Sequence, residues 1–152
     1  MRLSKKIAIA AATVITAAPG TLVAAEPATA APEPLISTAP GSQAPPAVLT
    51  GPNGEQPTQW GVAVVPVASS RGAMTPLATK KVGGGTWNYG TRAAGLDGST
   101  CYSNYIHPSK KHTATVIKAG YTYKDYANPD VWAKAKITAG AAYTCYTYWG
   151  VY

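Results

Sequence analysis

In the C-terminal half of this chain, apolar and polar side chains alternate with a period of two residues, and this pattern limits the fold more than any other feature. The clearest run covers residues 131–138, where Val, Ala, Ala and Ile alternate with Trp, Lys, Lys and Thr. Successive side chains of a β-strand point to opposite faces, whereas a helix would scatter this apolar set around its surface. Asp130 could cap a helix rich in Ala and Lys, but the alternation favours a half-buried strand.

Other short runs in this half of the chain also have the character of strands. They cover residues 86–89, 101–107, 111–117, 121–124 and 142–149. In the first of these runs, Trp87 and Tyr89 share one face. Residues typical of turns separate the runs, and three glycines at 83–85 form a flexible lead-in. Short strands at intervals of about ten residues, with no long helix, predict a small antiparallel β-sandwich or barrel.

Two of these runs flank a proline and predict a central β-hairpin. Pro108 has a fixed φ and no backbone N–H, so the run that precedes it must end there. We expect the hairpin tip to present four polar side chains to solvent: His107, Lys110, Lys111 and His112. In the alternative, both histidines only brace the turn through hydrogen bonds to the backbone.

The composition divides the chain near residue 79. Residues 1–79 hold eleven of the thirteen prolines and none of the ten tyrosines. We therefore interpret residues 26–79 as a disordered segment rich in Pro and Ala, either a propeptide or a linker, because it cannot bury enough apolar surface to offset its ordering entropy. Within it, residues 60–67 are either a short strand at the edge of the domain or, as we favour, a transiently extended apolar patch. A protease-resistant core is expected to begin between about residues 78 and 85.

The N-terminus has the organisation of a secretory signal peptide. Residues 1–25 contain a basic start, an apolar run and small residues before a cleavage point. The apolar run is short and is interrupted at Pro19, which argues against a membrane span. We expect a secreted protein that does not span a membrane after signal cleavage.

The only two cysteines, Cys101 and Cys145, are predicted to form a disulfide, since the chain is exported. The loop of 43 residues between them implies about 4 kcal/mol of stabilisation in the chain-entropy model. Two cysteines with His107 and His112 could in principle bind zinc, but we expect neither a metal nor a cofactor.

The charge of the C-terminal half favours an anionic partner. Residues 80–152 carry nine Lys and Arg against three Asp, a net charge of +6, which favours phosphates, anionic wall polymers or lipid headgroups. Export argues against a nucleic-acid partner. No nucleophile-elbow motif or carboxylate pair is present, so we do not expect an enzyme.

Several separated blocks resemble, in order, the signature of the lactococcin 972 family of bacteriocins. They are residues 84–87 (GGTW), 102–105 (YSNY), His107 with Ser109 and Lys110, 112–116 (HTATV) and 132–135 (WAKA). The resemblance covers about residues 82–152 and implies a β-sandwich of two three-stranded antiparallel sheets in a secreted, unmodified antibacterial polypeptide. For the namesake it implies inhibition of septum formation through binding of the cell-wall precursor lipid II, without pore formation.

These arguments predict a bacteriocin that binds lipid II or another anionic component of the envelope of target bacteria. Lysines can donate charge-assisted hydrogen bonds to pyrophosphate, and aromatic rings can stack on sugars. The candidate binding residues are Trp87, Tyr89, Tyr105, His107, Lys110, Lys111, His112, Trp132 and Trp149. The alternative function is a non-toxic module that binds the cell wall or a carbohydrate, and the alternative role of each aromatic residue is core packing.

Overall fold

Two antiparallel sheets packed face to face form the protein, as seen in a computed structural model that describes residues 35–37, 43–65 and 78–152. The strands in chain order are β1 (Leu35–Ser37), β2 (Gln59–Val65), β3 (Ala78–Val82), β4 (Gly85–Ala93), β5 (Ser99–Ile106), β6 (His112–Lys118), β7 (Tyr121–Ala127), β8 (Ala133–Ala139) and β9 (Cys145–Val151). One sheet has the order β1-β2-β9-β6-β7, and the other has the order β3-β4-β5-β8. The predicted antiparallel β-sandwich is confirmed.

The period-two pattern decides which side chains enter the core. In β8, Ala133 and Ala135 are buried against the other sheet, while Lys134 and Lys136 point to solvent. The strand predicted at 131–138 is therefore confirmed with its bounds shifted to Ala133–Ala139, exposed Val131 precedes it, and the helix alternative is excluded. The same alternation buries Thr147 and Trp149 of β9.

The predicted size of the sheets is wrong, since they contain five and four strands rather than three each. The smaller sheet gains β3, which pairs with β4 through a two-residue turn at Gly83 and Gly84. These glycines have φ values of +57° and +81°, which fit a tight hairpin turn and not the predicted flexible lead-in. A Cβ on Gly83 would lie 2.3 Å from the ring of Trp149, so the turn sits directly against the core.

The predicted central hairpin is also wrong. Strands β5 and β6 follow each other in sequence but belong to different sheets, because β5 pairs with β4 and β8, whereas β6 pairs with β7 and β9. Residues 107–111 thus cross from one sheet to the other. Alternation shows that both segments are strands, but it carries no information about which strands pair.

Part of the segment predicted to be disordered is folded. Strand β2 lies inside the larger sheet and pairs with β9 along seven residues, from Gln59 opposite Val151 to Val65 opposite Cys145. Five apolar side chains of residues 43–65 are buried: Leu49, Pro57, Trp60, Ala63 and Val65. The disorder prediction fails here because the domain supplies the apolar surface that this segment lacks by itself.

The structure describes only part of residues 26–79. Residues 26–34, 38–42 and 66–77 lie outside the described residues, as does the predicted signal peptide at 1–25. The signal, and the role of the segment as propeptide or linker, stay predictions. The resistant core expected from residue 78 onward must instead include β2.

The disulfide between Cys101 and Cys145 is confirmed, with a Cα–Cα distance of 5.6 Å. It joins β5 of the smaller sheet to the first residue of β9 in the larger sheet, and both residues are fully buried. The bond therefore crosslinks the two layers of the sandwich.

Replacing the tryptophan of β2 tests whether this strand belongs to the folded unit. Trp60 is 4% exposed, so Trp60→Ala should lower the free energy of unfolding by about 3–5 kcal/mol. The matched control is Val64→Ala on the same strand, since Val64 is 44% exposed and should change it little. Urea unfolding of both variants measures the difference. A Trp60→Ala protein as stable as the wild type would show that the segment is not part of the core.

Removing the crosslink should lower stability without changing the fold. We expect Cys101→Ser combined with Cys145→Ser to reduce the free energy of unfolding by about 4 kcal/mol, while the far-ultraviolet circular dichroism spectrum keeps its shape. Reduction of the wild type should give the same urea midpoint as the double variant. Two titratable thiols in the unreduced native protein would refute the bond.

Candidate functional site

Five of the nine predicted binding residues lie in the core. Trp87, Tyr89, Tyr105, His112 and Trp149 are at most 1% exposed. Their rings fill the space between the two sheets: Trp87 stacks on Tyr89 with ring centroids 4.0 Å apart, and Tyr105 stacks on Trp149 at 5.1 Å. These five residues therefore pack in the core, as the alternative interpretation stated. They expose no surface that a ligand could contact in this conformation.

The polar atoms of two core rings are also occupied by protein partners. The Trp87 indole donates to Ser103 Oγ at 2.9 Å, and the Tyr105 hydroxyl donates to the Val82 carbonyl at 2.9 Å. Burial raises the pKa of Tyr105 above its usual range. These bonds fix ring orientation and leave neither group pointing outward.

The two histidines brace the crossing loop, residues 107–111, as the alternative interpretation proposed. The prediction that they are exposed to solvent is wrong. His107 is 5% exposed, and its Nδ1 accepts from the backbone N–H groups of Ser109 and Lys110 at 3.1 and 3.0 Å. His112 is fully buried, with Nδ1 2.8 Å from the Lys110 carbonyl oxygen and Nε2 2.7 Å from that of Val131. A neutral imidazole has only one N–H, so both His112 contacts are hydrogen bonds at once only in the protonated ring.

The electrostatics of His107 follow from this packing. Burial is the main cause that lowers its pKa below the ordinary 6.5, and the neighbouring His112 lowers it further. The lowered pKa favours the neutral ring, whose Nδ1 accepts the two backbone hydrogen bonds.

Three predicted residues remain at the surface. Lys110 and Lys111 are exposed on the crossing loop, as predicted, and Trp132 is half-buried just before β8. Trp132 lies at the outer face of the smaller sheet, whereas the two lysines extend from its end. The structure therefore does not bring the nine predicted residues together into one site.

The outer face of the smaller sheet is the strongest candidate for a binding surface. We define the basic face by Lys81, Asn88, Arg92, Asn104, Trp132, Lys134 and Lys136. Strand register aligns its members, with Asn88 opposite Asn104 and Asn104 opposite Lys134. The outward-pointing positions of β3, β4, β5 and β8 include no Asp or Glu, so the positive charge on this face is not neutralised from within it.

A shallow cavity of about 220 Å³ marks the centre of the basic face. Asn88, Asn104, Trp132 and Lys134 line it. The amide oxygen of Asn88 is buried and has no hydrogen-bond partner among the described residues. Since an unsatisfied buried acceptor is costly, a hydroxyl or amide donor that displaces the atoms covering this oxygen would be stabilised here. An aromatic ring, two amides and an ammonium group together suit a sugar that carries negative charge.

Sequence reasoning missed three of the four cavity residues. Lys134 could have been found, because the alternation of β8 already placed it opposite the buried alanines. Asn88 and Asn104 gave no such signal, since only the register of β4 with β5 places them side by side.

Within residues 35–37, 43–65 and 78–152, no group of three His, Cys, Asp or Glu side chains is arranged to hold a metal ion. In the same part of the chain, no helix has the length and apolar character needed to cross a membrane.

The histidine network generates a prediction about pH. Because the folded-state pKa of His107 is lowered, the stability it contributes is fully present above pH 6.5 and is lost as the pH falls toward the folded-state value. His107→Asn keeps an acceptor near Nδ1 and removes the titration. Between about pH 7 and about pH 5, the free energy of unfolding should fall further for the wild type than for the variant. Parallel curves from urea titrations would contradict the assignment.

Comparison with known proteins identifies the domain that carries this face. Residues 83–149, which span β4 to β8 and most of β9, match the model of the family described as Bacteriocin (Lactococcin_972). Searches of curated proteins and of solved structures found no match. The resemblance noted in the sequence is thereby confirmed, since residues 83–149 match the lactococcin 972 family of bacteriocins.

Proposed function

We propose that this protein is a secreted antibacterial polypeptide that binds an anionic cell-wall precursor such as lipid II through its basic face. Binding would withhold the precursor and so block cell-wall and septum synthesis in related bacteria. Membership of a bacteriocin family supports the antibacterial role. The observation that carries the binding surface is the cavity at Trp132, which Asn88, Asn104 and Lys134 also line and where the Asn88 amide oxygen has no hydrogen-bond partner among the described residues.

The chemistry of such a precursor fits the two kinds of side chain on this face. A pyrophosphate accepts charge-assisted hydrogen bonds, which Lys134, Lys136 and Arg92 can donate from neighbouring strands. A sugar ring can stack on Trp132 while its hydroxyl and amide groups bond to Asn88 and Asn104. Both parts of one ligand would thus be bound along the same sheet.

The flatness of the face also suits a large ligand. The cavity at Trp132 is too small and open to enclose a drug-sized molecule. A second cavity of about 490 Å³ lies at the end of the same sheet, lined by Lys81, Gly84 and Pro108 among others. A carbohydrate chain that extends along the sheet could contact both.

Charge reversal on the basic face should weaken precursor binding. We expect Lys134→Glu with Lys136→Glu to raise the dissociation constant for lipid II in detergent micelles by at least about tenfold, because charge-assisted hydrogen bonds are replaced by repulsion. Added salt should weaken wild-type binding through screening. Isothermal titration at several salt concentrations measures both effects.

The matched control is Lys110→Glu with Lys111→Glu, which changes the net charge equally on the crossing loop. A smaller loss of affinity in this control would assign binding to the basic face. An equal loss would show that the lysines act only through the net charge of the protein. Trp132→Ala tests sugar stacking separately. Growth inhibition of a lawn of related bacteria then separates a bacteriocin from a non-toxic wall-binding module. Tight binding without any zone of inhibition would refute the antibacterial role.

A further inference from the structure

One end of the sandwich carries an unusual concentration of exposed apolar side chains. Three connections meet there: residues 94–98 between β4 and β5, 119–120 between β6 and β7, and 140–144 between β8 and β9. We call this region the loop end. Its large exposed apolar residues are Val64, Leu96, Tyr121, Tyr143 and Tyr146, with exposed fractions of 44, 108, 70, 55 and 39%.

Direct contacts show that these connections are neighbours. Buried Lys118, at the end of β6, donates from Nζ to the Ser99 carbonyl at 2.6 Å and to the Ala139 carbonyl at 3.1 Å. A Cβ on Gly98 would lie 2.5 Å from the Ala139 carbonyl oxygen. Cys145 pairs with both Lys118 and Val65. The starts of β5, β7 and β9 and the ends of β2, β6 and β8 therefore lie together.

The composition of the three connections is the second observation. Residues 94–98, 119–120 and 140–144 consist of Ala, Gly, Leu, Tyr and Thr, with Asp97 as their one charged residue. Surface connections in soluble proteins are usually polar. At the opposite end, the crossing loop carries exposed Lys110 and Lys111. The two ends of one small sandwich therefore differ in polarity.

From this asymmetry we infer that the loop end docks onto the surface of an anionic lipid bilayer. Fully exposed Leu96 would enter the boundary between headgroups and acyl chains. The rings of Tyr121, Tyr143 and Tyr146 suit that interface, since their apolar bodies can be buried while their hydroxyls stay hydrated.

Charge complementarity favours a bilayer over a second copy of the chain. The part of the chain from residue 80 onward carries a net charge of +6, so two copies repel each other while an anionic membrane attracts both. Arg92 stands opposite Thr100 on the basic face, in the last outward-facing register row before the loop end. Its guanidinium could bind headgroup phosphates while the loop end is inserted, as long cationic side chains do at membrane interfaces.

Docking in this orientation would set the strands at a steep angle to the membrane surface. The basic face would then extend away from the membrane. The inference goes beyond the proposed function, because it requires neither a cell-wall precursor nor antibacterial activity. It assigns a second surface, built from loops, to a lipid partner.

The test is co-sedimentation of the protein purified from culture medium with phospholipid vesicles that contain no cell-wall precursor. We expect binding to vesicles made of equal parts phosphatidylcholine and phosphatidylglycerol, and weaker binding to pure phosphatidylcholine. Leu96→Ser combined with Tyr143→Ser should lower the partition coefficient by about tenfold or more, because two apolar side chains no longer enter the interface. Both residues are exposed, so the urea midpoint should not change.

The matched control is Val131→Ser, which removes an apolar side chain of similar exposure, 55%, at the opposite end. It should bind vesicles like the wild type. Unchanged vesicle binding by the Leu96 and Tyr143 variant, or no binding by the wild type, would overturn the inference. So would a wild-type dimer in analytical ultracentrifugation that the variant abolishes. Loss of lipid II binding by the Lys134 and Lys136 variant, with vesicle binding retained, would leave the docking surface supported.

Discussion

The position of β9 between two neighbours is the constraint on which the rest of the structure depends. This strand pairs with β2 along one edge and with β6 along the other. Its inward side chains include Trp149, which stacks on Tyr105 of the opposite sheet, and Cys145, which is bonded to Cys101 there. Backbone pairing, ring stacking and a covalent bond therefore converge on a single segment of seven residues.

The partnership with β2 changes the boundaries of the folded unit. The family match begins at residue 83, yet without β2 one edge of β9 would be unpaired and the core would lose Ala63 and Val65. An unpaired edge next to exposed apolar surface invites association with other chains. The segment before the family domain thus completes the larger sheet.

The same core explains where binding can occur. A sandwich this small needs large rings to fill the space between its sheets, and Trp87, Tyr89, Tyr105 and Trp149 are used for that purpose. Trp132 stays half-buried because it lies just before β8, on the outer face of the smaller sheet. The surfaces that we propose for binding are therefore the flat basic face and the apolar loop end. Arg92 lies where these two surfaces adjoin, so one approach to a membrane could serve both.

Sequence alone determined the strand character of residues 131–138, the disulfide, the antiparallel sandwich and the bacteriocin family. Each depends on local pattern, on the presence of only two cysteines, or on ordered motifs. Tertiary structure alone decided that β5 and β6 separate into different sheets and that β2 enters the larger sheet. It also decided that His107 and His112 are buried and that Asn88 stands beside Asn104. The physical reason is that alternation specifies the two faces of a strand, whereas pairing partners and register depend on long-range contacts. A histidine flanked by lysines looks exposed in sequence until the fold supplies the backbone groups, such as the Val131 carbonyl, that hydrogen-bond to its ring.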